Sequence, residues 1–162
     1  MGENSIFNFK INIKLIKIFL LITIIVFFLP FFSVSCSSQD KGVTFSGFEL
    51  STGKNIGNQS FGGSFLGFIL IIFPVILLIL SFFINKIKNN AAYNICKNIF
   101  FIAPVFDIFA VFIIRYAFKL IVKNKLSKIP VLINIKYGFV LYVILNIIIF
   151  ILAAMNYFVK RE

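Results

Sequence analysis

The sequence predicts an all-α membrane protein: four transmembrane helices in a bundle, with a small extracellular β-cap built from the first and third loops. Three observations predict it. Of 162 residues, 60% are hydrophobic and 13% charged, against about 45–50% and about 25% in soluble domains, so the polar residues could not clothe a water-soluble globule of this size. The apolar residues gather into four stretches near the ~20 residues that a helix needs to cross a bilayer. Between them lie polar loops, two of which carry strand-like patterning. No internal repeat divides the chain, so residues 1–162 read as a single integral membrane domain.

The first expected span covers 18–35, through LLITIIVFFLPFFSVS, with no charge between Lys17 and Asp40. The second covers 64–84 and contains Pro74, which kinks a helix by removing an N–H and crowding the preceding turn. The third, 98–122, carries Pro104 and Asp107 and gains length by running on past Arg115. The fourth, 137–159, is uncharged throughout. A short polar turn, 85–97, joins the second and third. The outer loops are 36–62 and 123–136. Within them Val43-Thr44-Phe45-Ser46-Gly47-Phe48-Glu49-Leu50 and Ile129-Pro130-Val131-Leu132-Ile133-Asn134-Ile135-Lys136 are β-prone, with Gly53 and Gly57 in the turns that follow the first. With four crossings both loops fall on one side, which is why a small sheet over the helices is expected.

Orientation is less decided. Lys10, Lys14, Lys17, Lys86, Lys88, Lys97, Lys160 and Arg161 collect on one face, and Lys41, Lys54, Arg115, Lys119, Lys123, Lys125, Lys128 and Lys136 on the other, eight against eight. The first helix usually dominates. Three lysines precede it and a nearly neutral loop follows, which favours a bacterial cell membrane protein with both termini in the cytoplasm. A re-entrant third segment would move the basic loop inside.

Composition excludes most catalysis. With no His, two Cys and five acidic residues, the usual metal sites, Ser/His and Cys/His pairs and His general bases cannot be assembled. No enzyme activity and no cofactor are expected. The basic excess lies at membrane borders rather than on a soluble module, so nucleic acid is not an expected partner.

Four groups of residues remain as candidates. Asp107 lies near the middle of the third span, where an ionised side chain costs about 2.5–3.5 kcal/mol or more, and Asn146 lies at a similar depth on the fourth. Their pairing would be a structural hydrogen bond, and an ion path or proton relay is the other reading. Arg115, Lys119 and Lys123, spaced i, i+4, i+8, make one basic stripe suited to anionic headgroups or to simple solvation. Gly63 and Gly67 have small-xxx-small spacing, for close helix packing or for flexible entry into the second span. Cys36 follows Ser33-Val34-Ser35, which matches a permissive lipobox and a signal-peptidase pattern. A bridge from Cys36 to Cys96 is excluded, because four crossings place the bilayer between them.

The stretch Pro30-Phe31-Phe32-Ser33-Val34-Ser35-Cys36-Ser37, with Ser46-Gly47-Phe48-Glu49-Leu50-Ser51-Thr52-Gly53 after it and Lys136-Tyr137-Gly138-Phe139 opening the last span, resembles an uncharacterised family of small bacterial four-span membrane proteins. The resemblance touches about a third of the chain and implies a membrane fold, with no activity attached. The architecture is also distantly similar to claudin-like tetraspans, although the first loop has one Cys instead of a pair and the chain has no Trp. The expected function is that of a non-enzymatic envelope interaction or accessory protein acting through its outer loops, with membrane lipids, a second copy or another membrane protein as partner. A small transporter or channel using Asp107 is the alternative, and a lipoprotein or immunity-type membrane protein the third.

Overall fold

The computed structural model describes residues 2–36, 42–56, 59–87, 89–125 and 131–158, with side chains of the first helix from Ile13 onward. Helix α1 (Gly2–Val26) buries Ile13, Ile16 and Leu20 while Ile18, Leu21 and Ile25 stay exposed. It ends ahead of Pro30 because a proline disfavours helix in the residue before it and cannot donate to the ladder. The Phe28 and Leu29 N–H groups close the end with i−3 bonds of 3.1 and 2.9 Å to Ile25 and Val26.

From Pro30 the chain is extended. Strand β1 (Pro30–Cys36) is the centre of an antiparallel sheet of order β2-β1-β5, where β2 is Val43–Ser46 and β5 is Val131–Ile135. Ser33 of β1 lies opposite Thr44 on one side and Asn134 on the other. A bulge between Pro30 and Phe32 shifts the register against β2. Helix α2 (Gly47–Thr52) follows β2 directly, and a second small sheet pairs β3 (Gly53–Ile56) with β4 (Gln59–Gly62). Ser46 caps α2: its hydroxyl accepts from the Glu49 N–H at 3.1 Å while the Glu49 carboxylate accepts from the Ser46 N–H at 2.8 Å.

Three longer helices complete the chain. Helix α3 (Phe65–Phe83) contains Pro74 and runs into a 3-10 turn, Ile84–Lys86. Helix α4 (Asn90–Lys125) contains Pro104, and the Asn89 side-chain oxygen accepts from the Ala91 N–H at 2.9 Å at its start. Helix α5 (Tyr137–Phe158) is pinned to the sheet by the Lys136 N–H, which donates to the Phe31 carbonyl at 2.9 Å.

This architecture overturns the all-α, four-span bundle. Among the described residues two helical stretches are long and apolar enough to cross a membrane, Asn90–Asn124 and Tyr137–Met155. Only Ile18–Val26 of the expected first span is helical; residues 27–29 turn the chain, and from Pro30 it is the central strand of a sheet. Of the second expected span, the apolar helical stretch Gly67–Phe83 is 17 residues, about 26 Å at about 1.5 Å per residue, short of the ~30 Å hydrocarbon core. The expected first strand is divided, its first half becoming β2 and its second half α2. The polar turn 85–97 is mostly helix, since α4 begins at Asn90. Gly57 lies outside the described residues.

The apolar interior has two parts. One lies under the sheet and contains Phe27, Phe31, Phe32, Phe45, Phe61, Leu70, Val111, Phe118 and Tyr142. The other lies toward the opposite ends of the helices and contains Ile16, Leu20, Leu77, Tyr93, Cys96, Phe100 and Ile149. Outside both, α4 and α5 expose large apolar side chains such as Phe106, Phe109, Ile113, Ile144 and Ile151. Only 33% and 39% of their most apolar windows are buried, which a soluble core helix would not tolerate.

Candidate functional site

At the junction of the two apolar regions each long helix interrupts its buried face. On α1 Thr23 falls between Leu20 and Val26. On α3 Pro74 falls between Leu70 and Leu77, on α4 Asp107 between Ala103 and Val111, and on α5 Asn146 between Leu145 and Ile149. Thr23 and Asp107 are 0% exposed and Asn146 1%. These residues form a polar layer across an otherwise hydrocarbon interior.

The layer's hydrogen bonds start from a proline. Pro74 has no N–H for the carbonyl four residues earlier, so Leu70 O loses its helical partner. Tyr142 on α5 replaces it, donating its hydroxyl to Leu70 O at 2.6 Å. A buried carbonyl left unpaired would cost about 1–3 kcal/mol, so this bond ties together α3 and α5, which otherwise pack mainly on α1 and α4. The Thr23 hydroxyl donates to Phe19 O at 2.8 Å, and the Asn146 amide to Tyr142 O at 3.0 Å, both bonding back to the preceding turn of their own helix.

Asp107 faces the Tyr142 phenol. That hydroxyl is bonded to Leu70 O, so it does not serve the carboxyl at the same time. Among the described residues neither carboxyl oxygen of Asp107 has a hydrogen-bond partner. Such a group can take up a proton or a cation, or receive a donor brought by a conformational change.

A second polar group sits on the sheet side. Lys54 Nζ approaches Glu49 at 2.7 Å and donates to Thr44 O at 2.9 Å. Burial pushes the Glu49 carboxyl up, but the Lys54 ammonium and the Ser46 N–H outweigh it and hold the group below the usual carboxylate range. This network joins α2, β2 and β3.

The remaining candidates are scattered. Asn146 shares the layer with Asp107, but its amide bonds to Tyr142 O, so the expected pairing gives way to backbone satisfaction. Gly63 and Gly67 meet Ser51 of α2: a Cβ on Gly67 would lie 2.5 Å from the Ser51 hydroxyl oxygen, and one on Gly63 would overlap the Ser51 carbonyl. Their close packing is with a short helix of this chain. Arg115, Lys119 and Lys123 are all exposed on α4. Cys36 ends β1 opposite Val131 in the sheet, and Cys96 is a free, buried thiol in the far apolar region, so the two lie at opposite ends of the helices. Tyr142 was not among the sequence candidates. Its signal was Pro74, which announces an orphaned Leu70 carbonyl and hence a donor on a neighbouring element.

Sequence and structure comparisons add no relative. No family model, curated protein or solved structure matches this chain.

Proposed function

We propose that this is a non-enzymatic integral protein of the bacterial cell membrane that acts by contact, as a self-associating or accessory subunit, through the sheet at one end of its helices. The carrying observation is the open sheet. Among the described residues β2 and β5 pair with β1 on one side only. On β2 the Thr44 carbonyl and Ser46 N–H are taken by Lys54 and Glu49, which leaves β5 as the open edge. An edge strand of this kind accepts an added strand from a partner. Apolar side chains flank it: Leu132 is 60% exposed and Ile135 39%. The exposed Arg115, Lys119 and Lys123 at the sheet end of α4 would rest that end on anionic headgroups. Lys10, Lys14 and Lys17 at the opposite end would put the N-terminus in the cytoplasm, on the argument that the first helix dominates the positive-inside bias.

Cross-linking of the full chain in native membranes tests the reading, with proline placed at Ile133, whose N–H faces the open edge because Leu132, Asn134 and Lys136 alternate toward β1, to block strand addition along β5. The wild-type chain should give a discrete adduct that the variant lacks. A chain that stays monomeric at every expression level overturns it. A second reading, small-solute or ion transport, is favoured by the partnerless carboxyl of Asp107. Flux in liposomes that disappears in Asp107→Asn would support it.

A further inference from the structure

The donors and acceptors of the buried layer do not balance. Its acceptors include both Asp107 carboxyl oxygens, the Tyr142 phenol oxygen and the Thr23 hydroxyl oxygen. The Tyr142 and Thr23 hydroxyls donate to Leu70 O and Phe19 O, one Asn146 amide hydrogen goes to Tyr142 O and the Asn146 amide also faces the Tyr142 phenol, so no donor reaches Asp107. The backbone cannot supply the deficit, because helical N–H groups around Asp107 are engaged within α4. The layer is shut off from bulk water, with Leu70, Val111, Tyr142 and Ile149 around it all 0% exposed, and both oxygens that face it without partners belong to one carboxyl. A proton needs no cavity, whereas a bare metal cation needs several oxygens at fixed distance and room to sit among them.

We propose that Asp107 is a proton-binding site whose occupancy is linked to the α3–α5 contact at Pro74. A proton taken from bulk water forms an O–H bond on one carboxyl oxygen and is donated to the Tyr142 phenol oxygen. No other covalent bond forms or breaks, and release returns the proton to water. With the proton bound, Leu70 O, Tyr142 and Asp107 make one continuous chain of hydrogen bonds across α3, α5 and α4. Without it the phenol O–H turns from Leu70 O to the negative carboxylate, the stronger acceptor, and the contact with Leu70 opens. Among the described residues Tyr142 is the one titratable group that Asp107 meets. Thr23 and Pro74, the layer's contributions from α1 and α3, carry no charge, and Arg115 is exposed two turns away on α4. The proposal does not require flux, so it stands or falls apart from the transport reading.

Infrared difference spectroscopy of the purified full chain in lipid, taken across a pH titration, reads it directly. The chain has five acids, Glu3, Asp40, Glu49, Asp107 and Glu162, so a protonated-carboxyl stretch persisting at neutral pH can be assigned by one substitution. The band should be present in the wild type, absent in Asp107→Asn, shifted but retained in Asp107→Glu, and moved toward the free-acid frequency in Tyr142→Phe. Absence of the wild-type band at neutral pH, or its persistence in Asp107→Asn, overturns the proposal. Loss of the band on adding sodium at fixed pH also overturns it, in favour of a cation. Should Asp107→Asn fail to fold, the wild-type spectrum and the Tyr142→Phe shift still decide.

Discussion

Pro74, Leu70 and Tyr142 are the residues on which the interior turns, because one missing N–H on α3 is answered by one phenol on α5. Tyr142→Phe keeps the ring and removes the donor, leaving a buried carbonyl unpaired. It should destabilise the protein by about 1–3 kcal/mol, measurable by denaturant or thermal unfolding in detergent. Pro74→Ala restores an N–H to Leu70 O, so the same Tyr142→Phe change should cost less in that background. Equal penalties in the two backgrounds of this double-mutant cycle would break the link. Part of this chemistry was legible in the chain. Asp107 and Asn146 stand out as polar letters in apolar stretches, and their common depth follows from counting turns. Tyr142 did not stand out, because a tyrosine in a membrane segment reads as bulk until the direction of its hydroxyl is known.

At the scale of elements, the cap of α2 and the seat of α3 carry the testable consequences. Glu49 is held below the usual carboxylate range in the folded protein, so folding favours its ionised form. Its stabilising contribution is full above the unfolded carboxylate value and is lost as pH falls through the lowered folded value. Amide exchange across residues 46–56 should therefore quicken in mild acid, and Glu49→Gln should flatten that dependence while keeping the bond from the Ser46 N–H, because a glutamine oxygen also accepts it. Gly67 lies against Ser51, and a methyl group there forces α2 and α3 apart. Gly67→Ala should cost about 1–3 kcal/mol by overpacking, read from the same unfolding curves. Gly138 is similarly placed, a Cβ there lying 2.5 Å from the Pro30 carbonyl oxygen, which lets α5 start directly under β1. The strand β1 shows where sequence reasoning failed. Residues 31–34 are buried without alternation because the central strand is covered on both faces, and an apolar run of that length has no period to separate strand from helix. Pro30 was the usable sign, since a helix rarely continues through the residue before a proline.

For the whole molecule, the sheet and the loop at Asn90 lie at opposite ends of α4, an axis that topology can report. Single cysteines near Glu49, Lys125 and Asn90, in a background lacking Cys36 and Cys96, should label with Glu49 and Lys125 on one side of the membrane and Asn90 on the other. Labelling of all three from one side would remove α4 as a crossing helix. The sequence by itself determined the apolar character, the two long apolar stretches at 98–122 and 137–159, the strand-prone segments 43–50 and 129–136, within which β2 and β5 lie, and the burial of Asp107. These follow from composition and local periodicity, which act within a few turns of chain. The tertiary structure alone decided that Pro30–Cys36 is a strand between two others, that α1 and α3 pack beside the spans on shorter apolar stretches, and that Asp107 meets Tyr142. Each of those depends on partners roughly 70 or more residues away in some cases, and hydrogen bonds closed across such distances leave no local pattern in the sequence that makes them.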